Sequence, residues 1–232
     1  MNKYYTRSDL AIESLAYATR DKDYKHHQKQ DGDISIETFE ILQTSPLYPH
    51  DIGKYIEISF PDYQDFEKIS QHFQKQLSLL IKEKVKKIDP LILWIGLGNP
   101  TLTSDAIGPR TLNQIRATHH YSIEERHRHQ YYDTMCIAPG VMAHTGMETA
   151  DLLLALVQEF QPDLVIAIDA LCAQSYEKIC RVIQMNNVGI YPGSGIGNHR
   201  KNISEATMGV PVLAIGVPTV IHVSSLVSDV YN

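Results

Sequence analysis

The chain has 232 residues, is 43% hydrophobic and 21% charged, and carries a net charge of −6 with a pI near 6.0. That is enough for a sizeable core in one large domain over residues 1–232, with 1–60 as its N-terminal segment, and the acidic balance argues against a nucleic-acid binder. No signal peptide, lipidation signal or membrane-length apolar run is found, and Cys136, Cys172 and Cys180 form no CxxC pair, which fits a reducing cell interior.

In chain order, Ser8 to Glu13 predicts a short helix with Ser8 or Asp9 as N-cap, and Asp21 to Asp33 is polar enough to read as a mobile loop. Ile34 to Ile41 and Lys54 to Phe60 alternate apolar and polar residues, the pattern of half-exposed strands. Pro61-Asp62 opens a helix whose stripe is Phe66, Ile69, Phe73, Leu77, Leu80 and Ile81; it stops before Pro90, and Lys82 to Lys87 reads as its solvated end. Leu91 to Ile95 is a buried strand ended by Gly96. Beyond it lie Asn99, a polar loop, and a helix from Asp105 to about Ala117 with Pro109 in its first turn. His119 to His129 reads as a polar surface connection, Cys136-Ile137 as the end of a strand, and Thr145 to Phe160 as one helix with Met147, Ala150, Leu154 and Val157 on one face. Leu164 to Ile168 is a second apolar strand, stopping at Asp169; Ile179 to Met185 is a third, and Val212 to Val217 a last one ending at Pro218-Thr219. Strands alternating with helices predict a three-layer α/β fold, a mostly parallel sheet with helices on both faces.

In such a sheet, ligands sit in the crevice beyond the carboxyl ends of the strands. Asp105, in the loop after one core strand, and Asp169, at the end of another, can therefore share that crevice. Two carboxylates in one site do not both ionise easily, so the pair can hold one proton, activate a water and protonate a leaving group. The plain alternatives are Asp105 as an N-cap and Asp169 as a strand-end residue bonded to backbone N–H groups. His222 follows the last strand and could complete a metal set with Asp105 and Asp169.

Tyr191 to Asn198 contains GxGxG rather than GxGxxG, so Gly193 and Gly195 are read as letting substrate or backbone approach closely, not as a phosphate cradle. The remaining histidines, His26-His27, His119-His120, His127 and His129 among them, match no HExxH pattern and read as surface residues. Ser194, Ser204 and Cys172 lack the context of a nucleophile.

Several long motifs resemble, in order, those of the germination proteases of spore-forming bacteria: SDLAIE from Ser8, IGLGN from Ile95 and SDAIGP from Ser104, APGVMAHTGMETAD from Ala138, PDLVIAIDAL from Pro162, GIYPGSGIGNHRK from Gly189 and GVPVLAIGVPTV from Gly209. The resemblance implies an aspartic-type endopeptidase with Asp105 and Asp169 as catalytic residues, and a fold similar to the hydrogenase maturation endopeptidases. Asn99, Gly193, Gly195 and Thr219 fall in matching motifs and are candidate site-shaping or substrate-binding residues. The resemblance further implies a zymogen that processes itself near Asp9-Leu10, releasing a propeptide of residues 1–9, a homotetramer, and a spore-core location. Small acid-soluble spore proteins are the implied substrate; no cofactor, nucleic acid or membrane is implied. Family members extend past the position of Asn232, the stretch before Leu10 is short for a propeptide, and His222 stands where an aspartate is expected. Two other readings remain: a metal-assisted peptidase using Asp105, Asp169 and His222, and a non-catalytic relative that binds spore proteins.

Overall fold

The computed structural model describes residues 8–11, 13, 24–43, 51–192 and 201–221. They form one eight-stranded sheet, with strands β1 (Tyr24–Asp31), β2 (Ile34–Ile41), β3 (Gly53–Ser59), β4 (Leu91–Gly96), β5 (Asp133–Ile137), β6 (Leu164–Ala173), β7 (Val182–Asn186) and β8 (Val212–Ile221) in the order β1-β2-β3-β7-β8-β6-β4-β5. The expectation of a mostly parallel sheet is corrected here. Only β8-β6-β4-β5 is parallel; the pairings β1-β2, β2-β3, β3-β7 and β7-β8 are antiparallel, so antiparallel pairings outnumber parallel ones four to three. The parallel half needs helical crossovers, whereas the antiparallel half is reached by a hairpin and longer returns.

The helices are α1 (Phe66–Lys84), α2 (Ile107–Leu112), α3 (Ile123–His129), α4 (Met142–Thr145), α5 (Thr149–Phe160) and α6 (Glu205–Met208). Period-2 alternation sorts β4 and β6 between two cores. Ile92, Leu164, Ile166 and Ile168 face α1 and Leu112, with Leu213 and Ile215 of β8 beside them. Leu93, Ile95, Val165 and Ala167 face the other way, onto Ala150, Leu153 and Val157 of α5 and Met208 of α6. Helices therefore cover both faces, as expected.

Several predicted elements differ in extent. The tract read as a loop from Asp21 to Asp33 contains β1, whose residues 25–30 are exposed; it pairs with β2 over eight positions and needs no apolar face to do so. Helix α1 begins at Phe66, with Asp65 in the N-cap position, later than the Pro61-Asp62 start. Asp105 to Ala117 resolves into a single 3-10 turn, Thr103–Asp105, followed by the short α2. The polar connection from His119 to His129 contains α3, opened by a Ser122–Glu125 capping box and closed by Gln130 at φ 55°. The helix predicted from Thr145 begins only at Thr149, because Thr145 is the last residue of α4, which Gly146 at φ 70° closes in the left-handed region. Strands β6 and β8 both run past their predicted ends at Asp169 and Pro218-Thr219.

Candidate functional site

Strand β4 delivers the first acid. The Leu97 N–H donates to the Ile168 carbonyl at 2.8 Å, continuing the β4–β6 pairing one residue beyond the strand. The chain then turns at Gly98, φ +109°, where a Cβ would lie 2.1 Å from the Asp105 carbonyl oxygen; only glycine lets the loop fold back this closely. The fold-back is fastened at the side chain: the Asn99 N–H donates to Asp105 Oδ2 at 2.8 Å. Asn99 in turn accepts from the Thr101 N–H at 3.0 Å and the Thr101 hydroxyl at 2.8 Å through its own Oδ1. Asp105 is half-buried and is not the N-cap of α2; that place belongs to Ala106. Its carboxylate turns toward the loop after β4 instead.

Asp169 lies inside β6 rather than at its end, a correction to the reading in which the two acids occupy equivalent places. It is 7% exposed, and its Oδ1 accepts the Ala170 N–H at 2.8 Å. Its partner in β8 is Gly216, so no side chain rises beside it from that strand. Two residues on, the β6–β8 register slips: Leu171 faces Pro218 and Cys172 faces Val220, leaving Thr219 as the extra residue of a bulge. The bulge aims the Thr219 hydroxyl at the 3-10 turn, where it donates to the Ser104 carbonyl at 2.6 Å. Asn99, Asp105, Asp169 and Thr219 are thus gathered at the carboxyl-terminal edge of β4, β6 and β8. Gly193, Gly195 and His222 lie outside the described residues.

A third chain segment reaches this region. The Asp9 N–H donates to the Cys172 carbonyl at 2.9 Å, and Asp9 Oδ2 accepts the Cys172 N–H at 2.9 Å. Leu10 is 0% exposed, in a pocket of Leu171, Ala173, Ile179, Val182 and Ile190. The Glu13 carboxylate accepts the N–H groups of Gln174 at 2.7 Å and Ser175 at 3.1 Å, and Ser8 donates to it as well. Ser8 Oγ accepts the Leu10 N–H at 2.9 Å, and Ala11 and Glu13 are helical, in keeping with the predicted short helix.

Gln184 of β7 also reaches this segment, a residue that no motif in the sequence singles out. It is 5% exposed; its Oε1 accepts the Ala11 N–H at 2.8 Å and its Nε2 donates to the Asp9 carbonyl at 3.2 Å. The usable signal was the alternation in Val182–Asn186, where Gln184 and Asn186 are polar at positions facing away from Ile183 and Met185.

The model for germination proteases matches residues 12–232. The chain belongs to the germination protease family. It is 35% identical over 245 residues to the germination protease of Bacillus subtilis, an alignment covering 99% of this chain and 67% of that protein. The corresponding protein of Clostridium perfringens is 35% identical over 251 residues, covering 97% of this chain and 73% of the relative, and that of Priestia megaterium is 34% identical over 247 residues, covering 99% and 67%. The chain thus spans about two-thirds to three-quarters of the length of these germination proteases.

Within this family assignment, the geometry offers two carboxylates, a buried carboxamide and a threonine-fastened turn. Two of the three thiols are poorly placed for chemistry: Cys136 is raised above the ordinary thiol range by burial, and Cys172 is buried; Cys180 is exposed. Among the described residues, no group of three or more His, Cys, Asp or Glu is arranged to hold a metal ion, and no helix is long and apolar enough to cross a membrane. The metal set containing His222 falls outside that statement.

Proposed function

We propose that this chain is an endopeptidase of spore germination, in which Asp105 and Asp169 share a proton and activate the water that attacks the peptide bond. Membership of the germination protease family supports peptide-bond hydrolysis. The observation that carries the aspartate assignment is the bond from the Leu97 N–H to the Ile168 carbonyl, which brings the Asp105 loop alongside the residue preceding Asp169. The three-layer half of the sheet is in keeping with a fold like that of the hydrogenase maturation endopeptidases. In this mechanism one carboxylate takes a proton from the water while the protonated partner gives one to the departing amine, a division of roles open to two acids in one site.

The substrates are small acid-soluble, DNA-protecting spore proteins in the spore core. The active form is a homotetramer, and removal of the residues before Leu10 converts a zymogen to it. Incubation of the purified chain with a small acid-soluble spore protein, followed by mass spectrometry, tests this reading. Discrete fragments, formed equally with and without a chelator, are expected. Cleavage abolished by chelator and restored by a divalent ion would move the assignment to the metal set of Asp105, Asp169 and His222. Binding without cleavage by the folded chain would replace the enzyme with a spore-protein-binding relative.

A further inference from the structure

The row of the sheet that holds Asp169 continues through Gly216 of β8 to Gln184 of β7, each the registered partner of the next. Registered partners project to one face, so the Asp169 carboxylate and the Gln184 carboxamide stand on the same side, two strand spacings or roughly 9–10 Å apart at the backbone. Between them Gly216 contributes no side chain, and Leu171 leans over it, since a Cβ on Gly216 would lie 2.4 Å from Leu171 Cδ1. Leu10 rests in the pocket that includes Leu171. On its β7 side the backbone carrying Leu10 is held by Gln184: the carboxamide accepts from the Ala11 N–H and donates to the Asp9 carbonyl. That carbonyl belongs to the Asp9–Leu10 peptide bond.

We propose that Gln184 is a catalytic residue, its Nε2–H stabilising the negative charge that develops on the carbonyl oxygen of the bond being cut, with the chain's own Asp9–Leu10 segment displaying the binding mode. The inference rests on the peptidase reading above. Water adds its oxygen to the carbonyl carbon; the aspartate pair accepts one proton from that water and delivers one to the amide nitrogen. The former carbonyl oxygen, now negative, takes the Gln184 hydrogen bond until the C–N bond breaks and leaves a carboxylic acid and an amine, between which the acid's proton then passes to give carboxylate and ammonium. A donor at 3.2 Å from a resting carbonyl is suited to this task, because the bond shortens as charge builds on the oxygen. The other half of the carboxamide fixes its orientation: with Oε1 committed to the Ala11 N–H, Nε2 points at the carbonyl.

The test uses the full chain, Gln184→Glu and Gln184→Leu, with a peptide containing Ser8 to Glu13 and a matched thioamide in which sulfur replaces the Asp9 carbonyl oxygen. Gln184→Glu retains the shape and the acceptor but removes the donor. Circular dichroism and thermal melting establish which variant is folded, and that variant is used. The expected result is a fall in kcat of about a hundredfold to a thousandfold with KM within a few-fold of wild type. The wild type's preference for oxygen over sulfur should also shrink in the variants. A folded variant with unchanged kcat, or with a raised KM and the oxygen preference intact, overturns the donor role and leaves the peptidase standing. No cleavage of the peptide or of a spore protein by the wild type, either as the full chain or after removal of the residues before Leu10, overturns the peptidase reading, and this proposal with it.

Discussion

Glu57 of β3 shows what a single buried acid does in this fold. It is 2% exposed; Lys178 Nζ lies 2.9 Å from its Oε1 and the Ser59 hydroxyl donates to the same oxygen at 3.0 Å, while Oε2 has no hydrogen-bond partner among the described residues. Burial pushes its carboxyl above the ordinary glutamate range, against the pull of Lys178. The folded chain therefore holds a proton that the unfolded chain releases. This contribution to stability is complete below the unfolded pKa and is lost as pH rises through the folded one. Glu57→Gln should accordingly gain in Tm relative to wild type as pH is raised from about 4 to about 8; a gap that stays flat or narrows would contradict it. At Gly98, alanine would meet both a positive φ and the Asp105 carbonyl oxygen. Gly98→Ala should lower stability by roughly 1–3 kcal/mol or more and lower kcat together, measured by denaturant melts beside peptide hydrolysis. Activity retained at wild-type level would mean that the loop is not what holds Asp105 in place.

Among the elements, α3 carries the clearest local code. Ser122 Oγ accepts the Glu125 N–H at 3.2 Å and Glu125 Oε2 accepts the Ser122 N–H at 2.9 Å. The donation from the Ser122 backbone holds the Glu125 carboxyl below its ordinary range. Ser122→Ala should therefore cost about 1 kcal/mol in chemical denaturation, and no measurable cost would show that α3 is fixed by its tertiary anchor instead. That anchor is Arg126, 6% exposed, which pairs with Asp133 at 3.1 Å and donates to the Tyr121 carbonyl at 2.9 Å. Ser-Ile-Glu-Glu carries the pattern of a capping box, but the surrounding histidines and arginines make the segment read as a polar connection because the helix has so little apolar face. The core strands read correctly for the opposite reason: Leu91 to Ile95 and Leu164 to Ile168 are apolar on both faces, and both faces are covered. Their ends were less legible. Asp169 and Pro218 interrupt the apolar pattern, but backbone pairing carries both strands beyond them.

For the whole molecule, composition distinguishes poorly between a parallel and a mixed sheet, since the antiparallel half depends on pairing across long sequence separations, such as Tyr55 with Asn186. Asp105 and Asp169 were both legible as candidates, one from its loop and one from an apolar run interrupted by an acid. What joins them to the rest of the site was not, because it depends on contacts remote in sequence: Thr219 with Ser104, Asp9 with Cys172, Gln184 with Ala11. The central claim is that the two carboxylates work as one unit. Its most direct measurement is the initial rate of spore-protein cleavage by wild type, Asp105→Asn, Asp169→Asn and the double variant, all shown to be folded. Each single substitution should lower kcat by about a hundredfold to ten-thousandfold, and the double should fall little further, as residues sharing one step do. A single variant near wild-type rate, or a double loss equal to the product of the two singles, would contradict a shared-proton pair.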